Sequence, residues 1–153
     1  MNLAEQNRLK PKPVKPSLGM ELSLEFVQIS KLTESGKHDE AWRAANALYG
    51  KYPKEATPNF IIALILTGNK QRSDALQYAE AAVQFAPGNA IYKVFLGKLY
   101  VELGMIEFAL DHLVEAFEMD KTQFQAPLGL ATYYYGAGQG ARALPYYDLA
   151  LAA

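Results

Sequence analysis

Residues 90–123 read AIYKVFLGKLYVELGMIEFALDHLVEAFEMDKTQ. Leu96, Leu99, Tyr100 and Leu103 stand at i, i+3, i+4 and i+7, the apolar stripe of an amphipathic helix. Gly104 then interrupts the pattern, and Gly is the residue most at ease where a helix ends with positive φ. A second stripe follows on Ala109, Leu113, Ala116 and Phe117. Asn89, ahead of the first stripe, has the side chain of an N-cap. The stretch predicts a helix, a short turn and a second helix.

The same unit recurs on both sides with a step of 34 residues. Ala41, Ala75, Ala109 and Ala143 keep that step, as do Gly36, Lys70, Gly104 and Gly138. Pro53 and Pro87 share it, with Lys121 where a third would fall. Ile29, Ala63, Gly97 and Ala131 precede the Ala column by 12 residues, and Leu48, Ala82, Ala116 and Ala150 follow it by 7. Several columns in one uninterrupted register predict second helices near 38–50, 72–85 and 140–152. Pro58 and Pro127 fall in first turns, where no hydrogen-bonded N–H is lost. Pro145 falls about one turn into the last helix and is expected to kink it or delay its start. The small column has a physical reason, since helices cross closely only over Gly or Ala. Ala63, Gly97 and Ala131 are expected to face Ala75, Ala109 and Ala143.

The composition fits one ordinary globular domain: 153 residues, half hydrophobic, a fifth charged, net charge −1. Nothing in that balance points to nucleic acid. It hides an asymmetry, because Arg8, Lys10, Lys12 and Lys15 against Glu5 give residues 1–20 a local +3 and the remainder −4. No stretch has the length of apolar sequence that a membrane span needs. The polar, Pro-rich N-terminus lacks the apolar core of a signal peptide, and there is no cysteine. The expectation is a cytoplasmic protein with a flexible basic Pro-rich arm over 1–20 and a repeat domain over 21–153. The repeats run about 22–55, 56–89, 90–123 and 124–153.

These columns resemble the tetratricopeptide repeat family, whose pattern is W-x2-L-G-x2-Y, then A-x3-F, then A, then P. The third unit carries Leu96-Gly97, Tyr100, Ala109, Leu113 and Ala116; the fourth carries Leu130-Ala131, Tyr134, Ala143, Tyr147 and Ala150. The second carries Ile62-Ala63, Leu66, Ala75, Ala79, Ala82 and Pro87, and the divergent first has Gln28-Ile29, Leu32, Ala41, Ala45, Leu48 and Pro53. The Trp position holds Glu25, Asn59, Lys93 and Pro127 instead. The resemblance covers about residues 22–152. It implies an all-α fold, a right-handed α-solenoid of four 34-residue helix–turn–helix repeats.

It also implies a concave face lined by the first helix of each pair. On that analogy the partner-binding groove is Phe26, Ser30, Phe60, Leu64, Val94, Lys98, Val101, Leu128, Thr132 and Tyr135. Some of these residues can equally be core, because four units curl little. The cationic clamp with which some family members hold a C-terminal carboxylate is absent, since the matching first-unit positions are Phe26 and Ser30. The groove is apolar, suited to a partner helix or an extended apolar segment. The expected function is therefore a protein-interaction scaffold or adaptor, not an enzyme, with no cofactor. Two alternatives stand beside it: a regulatory or oligomerisation module of a larger modular enzyme, and a bacterial secretion chaperone of the same repeat type.

Other features carry less. The run Gly136-Ala137-Gly138-Gln139-Gly140 has no preceding strand and no following Lys-Ser or Lys-Thr, so it reads as a turn and not a phosphate loop. His38 and His112 fall two units apart, too far to share a metal. Tyr133 and Tyr146 have no packing role in the repeat pattern and mark a possible contact surface. The final stretch Leu149-Ala150-Leu151-Ala152-Ala153 leaves the last pair without a covering helix. That predicts self-association through this edge, or a longer polypeptide.

Overall fold

The computed structural model describes residues 2–9 and 15–152. Among the described residues all regular structure is helical. A short helix α1 (Leu3–Leu9) precedes four helix pairs: α2 (Leu18–Glu34) with α3 (His38–Lys51), α4 (Ala56–Gly68) with α5 (Arg72–Phe85), α6 (Ala90–Glu102) with α7 (Ile106–Met119), and α8 (Gln125–Gly136) with α9 (Gly140–Ala152). Each pair packs on the next, and the first helices of neighbouring pairs also touch, α2 on α4 and α6 on α8. The chain is an α-solenoid of four helix–turn–helix units.

The turn within each pair is set by the Gly36, Lys70, Gly104 and Gly138 column. All four have positive φ, 76°, 62°, 76° and 74°. One residue on, the backbone N–H of Lys37, Gln71, Met105 and Gln139 donates to the carbonyl of Leu32, Leu66, Tyr100 and Tyr134. This is the Schellman closure, repeated four times, and it satisfies carbonyls the helix end would otherwise leave open. Lys70 adopts the left-handed conformation without the freedom of Gly.

The core is a continuous row of interior residues built on the small column. Ala63, Ala75, Ala109 and Ala131 are fully buried. The side chain nearest to Gly97 is Leu113: a Cβ on Gly97 would lie 2.5 Å from its Cγ. Gly97 is small because a large Leu crosses over it. The Trp position of the motif is filled by polar groups that find partners. Asn59 Nδ2 donates to the carbonyls of Pro53 (2.9 Å) and Glu55 (2.8 Å), tying the interhelix loop to α4. The buried Lys93 ammonium reaches Glu115 on α7 at 2.9 Å. That contact holds the Glu115 carboxyl below its usual range.

The first pair departs from the other three. α2 and α3 lie together along less of their length than the helices of the later pairs. Their crossing carries Ile29, where the other pairs have Ala63, Gly97 and Ala131. A β-branched side chain at that point keeps the helices apart.

Two differences from the sequence expectations concern helix ends. The expected arm over 1–20 contains α1 and the start of α2; Lys10 to Val14 lie outside the described residues. Asn2 and Glu5 form a reciprocal capping box, with Asn2 Oδ1 accepting from the Glu5 N–H at 2.8 Å. The Ser17 hydroxyl caps α2 by accepting from the Met20 N–H. Pro145 does not delay α9, which starts at Gly140 and carries the proline in its interior.

Candidate functional site

The opening in the first pair is a half-open cavity of about 790 Å3, bordered by α2, α3 and α4. α2 contributes Phe26, Ile29, Ser30 and Thr33, at i, i+3, i+4 and i+7 on the side facing the opening. α4 contributes Ile61, Leu64 and Ile65, and α3 contributes Trp42 from its first turns. The floor is aliphatic and aromatic, and the polar groups stand at the rim. The Thr33 hydroxyl donates its proton to the Ile29 carbonyl at 3.0 Å, which leaves it only as an acceptor toward the cavity.

A second concavity of about 510 Å3 lies between α6 and α8, lined by Lys98, Val101, Phe124, Leu128 and Thr132 among others. Lys98 Nζ donates to Gln125 Oε1 at 2.8 Å across the helix gap, and the Thr132 hydroxyl donates to the Leu128 carbonyl at 2.8 Å. Between the two concavities stands an aromatic group centred on Phe60. Its ring lies 6.3 Å from Phe26, 4.6 Å from Tyr92 and 5.2 Å from Phe95.

The residues expected along one groove are therefore distributed. Phe26, Ser30 and Leu64 line the first cavity, and Lys98, Val101, Leu128 and Thr132 line the second concavity. Phe60 packs between them. Val94 is 6% exposed and belongs to the core, so it offers no surface to a partner. Tyr135 is 69% exposed and lines neither concavity. The sequence argument missed the contribution of the last residue of the first helix and of the second helix: Glu34, His38, Asp39 and Trp42 all line the first cavity. The signal was Ile29, the one bulky residue in the small column.

The electrostatics of the first cavity are one-sided. Glu34 and Asp39 line it together with His38, and no Lys or Arg does. Among the described residues the ion pairs are Lys51–Glu21 (3.2 Å), Arg72–Glu102 (2.6 Å) and Lys93–Glu115 (2.9 Å), none of which uses Glu34 or Asp39. The second concavity holds one charge of each sign, Lys98 and Glu102.

The histidines stay apart, as their register requires. His38 stands at the first cavity, and His112 sits on α7 with its ring 5.5 Å from that of Tyr100. Among the described residues no group of three or more His, Asp or Glu side chains is placed to hold a metal ion, and no helix is long and apolar enough to cross a membrane. The Tyr100 hydroxyl bonds Glu80 at 3.1 Å, linking α6 to α5, and burial with that carboxylate pushes its pKa up to about 12.

No family model matches the sequence, and no curated protein matches it. Solved structures do. A crystal structure of MamA superposes with a TM-score of 0.74 at 15% identity, covering 85% of this chain and 76% of that one. MamA from Desulfovibrio magneticus RS-1, from residue 41 to its end, gives 0.73 at 18% identity, covering 85% and 73%. MamA MSR-1 gives 0.71 at 16% identity, covering 90% and 79%. At such identities the likeness is one of fold: this chain is similar to MamA in the way its helix pairs stack into a solenoid.

Proposed function

We propose that the chain is a tetratricopeptide-type interaction scaffold that holds a segment of a partner protein on its concave side and catalyses no reaction. The observation that carries this reading is the first cavity, large enough to take several side chains and bordered by apolar residues of α2, α3 and α4. A half-open concavity of this kind leaves apolar side chains facing water, which is unfavourable until something apolar covers them. Burying a few hundred Å2 of apolar partner surface there would supply several kcal/mol at about 25 cal/mol per Å2, before ordering costs. The test is capture from a cell lysate by the intact chain beside Leu64→Glu and Leu128→Glu variants of unchanged helicity. A partner lost from the Leu64 variant places binding in the first cavity, and one lost from the Leu128 variant places it in the second concavity. A partner retained by both overturns the concave-side reading.

A second reading, self-association through α9, is favoured by one internal comparison. Leu151 is 85% exposed, whereas Phe117, its counterpart one repeat earlier, is 8% exposed in the array. Leu144 is likewise exposed where Leu110 packs against the core. A second copy laid on this face of α9 would cover both Leu144 and Leu151. A monomer mass independent of concentration would remove this reading.

A further inference from the structure

We infer that the cavity between α2, α3 and α4 selects a cationic amphipathic peptide. An apolar side chain of the peptide fills the cavity, and a flanking Lys or Arg meets Glu34 and Asp39. The inference rests on the concave-side reading above and adds the chemistry of the partner.

Three observations carry it. The floor, from Phe26, Ile29, Ile61, Leu64 and Ile65, is apolar, so the side chain that seats on it is apolar, with the Ser30 hydroxyl the polar group beside it. At about 790 Å3 the space is of the size that encloses a ligand and exceeds a single side chain. The charges at its border are carboxylates without an ion partner among the described residues.

Glu34 is the more telling of the two. It stands in the last turn of α2, where the helix dipole disfavours a negative charge. Its own helix gains nothing from it. Lys31 and Lys37, its neighbours in sequence, neither line the cavity nor come within ion-pair distance of it. Asp39 has a local role, since it lies in the first turn of α3 where a carboxylate is favoured. Both are open to solvent at the cavity border. A cation arriving with an apolar neighbour would pair with them while its stem covers the apolar floor. An acidic tail would meet repulsion from both.

The experiment is a selection from a displayed library of short random peptides on the intact full chain. The survivors are then measured on Ser30→Trp, which fills the cavity, on Leu64→Trp, which fills it from α4, and on the double reversal Glu34→Lys, Asp39→Lys. Retained far-UV helicity qualifies each variant. The expected survivors carry Lys or Arg beside Leu, Ile or Phe and weaken at least about tenfold on either filling variant. They also weaken about tenfold on the reversal, as two exposed pairs turned repulsive would give. Their binding falls as salt rises. The reversed chain should itself select Asp- or Glu-flanked peptides. Survivors that need the open cavity but show no excess of Lys or Arg would overturn the charge inference and leave the concave-side reading standing. Survivors indifferent to both filling variants, or no survivors at all, would overturn both.

Discussion

Replacing Gly97 by Ala adds one methyl group to the interior of α6, and its effect should change sign with the residue opposite. In a helix interior Ala is more favourable than Gly by about 1 kcal/mol. Here the new Cβ would lie 2.5 Å from Leu113 Cγ and 2.6 Å from Cδ2. Leu113 is fully buried, so its side chain has nowhere to retreat. Overpacking of this kind costs about 1–3 kcal/mol. The sum makes Gly97→Ala destabilising by about 1 kcal/mol, a fall of about 2–4 °C in Tm for a chain of this size. Leu113→Ala alone leaves a hole and costs about 2–5 kcal/mol. In that background the clash is gone, and Gly97→Ala should stabilise by about 1 kcal/mol. Urea unfolding followed by far-UV circular dichroism on the four proteins of this cycle measures both signs. A Gly97→Ala effect of the same sign in both backgrounds would refute the claim that Leu113 fixes the glycine.

Lys70 is exposed and holds φ 62°, which costs a side-chain-bearing residue about 1–2 kcal/mol, so Lys70→Gly should raise the urea midpoint by about 1 kcal/mol of stability. Pro145 removes the N–H that would bond the Ala141 carbonyl inside α9; Pro145→Ala should stabilise the fourth pair by up to about 3 kcal/mol, read as slower hydrogen exchange in α9. The Glu115 carboxyl is held below its ordinary value near 4.5 by the Lys93 hydrogen bond. A lowered folded value contributes stability that is present above that ordinary value and lost as pH falls through the lowered one. Acid titration should therefore show a loss that Glu115→Gln abolishes, while Lys93→Met, which removes the desolvated ammonium and leaves an exposed carboxylate, should be neutral or stabilising at neutral pH. Tyr100, with its pKa raised to about 12 from the ordinary 10.0, acts in the opposite sense. Its contribution is present below the ordinary value and lost as pH rises toward 12, and Tyr100→Phe should remove that alkaline step.

Most of the helix pattern could be read from the chain because repeats write it four times. The Gly36, Lys70, Gly104 and Gly138 column located every intra-pair turn, since only a left-handed residue closes a helix this way, and all four have positive φ. The apolar stripes placed α3, α5 and α9 to within a residue of their observed ends, because periodicity of 3.6 is a local property. The short α1 escaped notice because a capping box at Asn2 is a two-residue signal with no apolar stripe behind it. Polar residues in the Trp column were equally unreadable. Asn59 and Lys93 are buried only because loop carbonyls and Glu115 come to meet them.

What the sequence determined by itself is the repeat: its length, its two helices, its turn and its small residues, each of them a local consequence of side-chain size and backbone conformation. What only the tertiary structure decided is where surface is left over. Val94 and Leu128 occupy the same repeat position, yet the first is buried in the core and the second is open, so burial is not set by repeat position alone. The first cavity exists for a comparable reason. Ile29 takes a place that needs a small residue, α2 and α3 part, and Trp42, Glu34 and Asp39 from three separate turns meet around the gap. No local pattern announces such a meeting, since it depends on how far two helices stand apart.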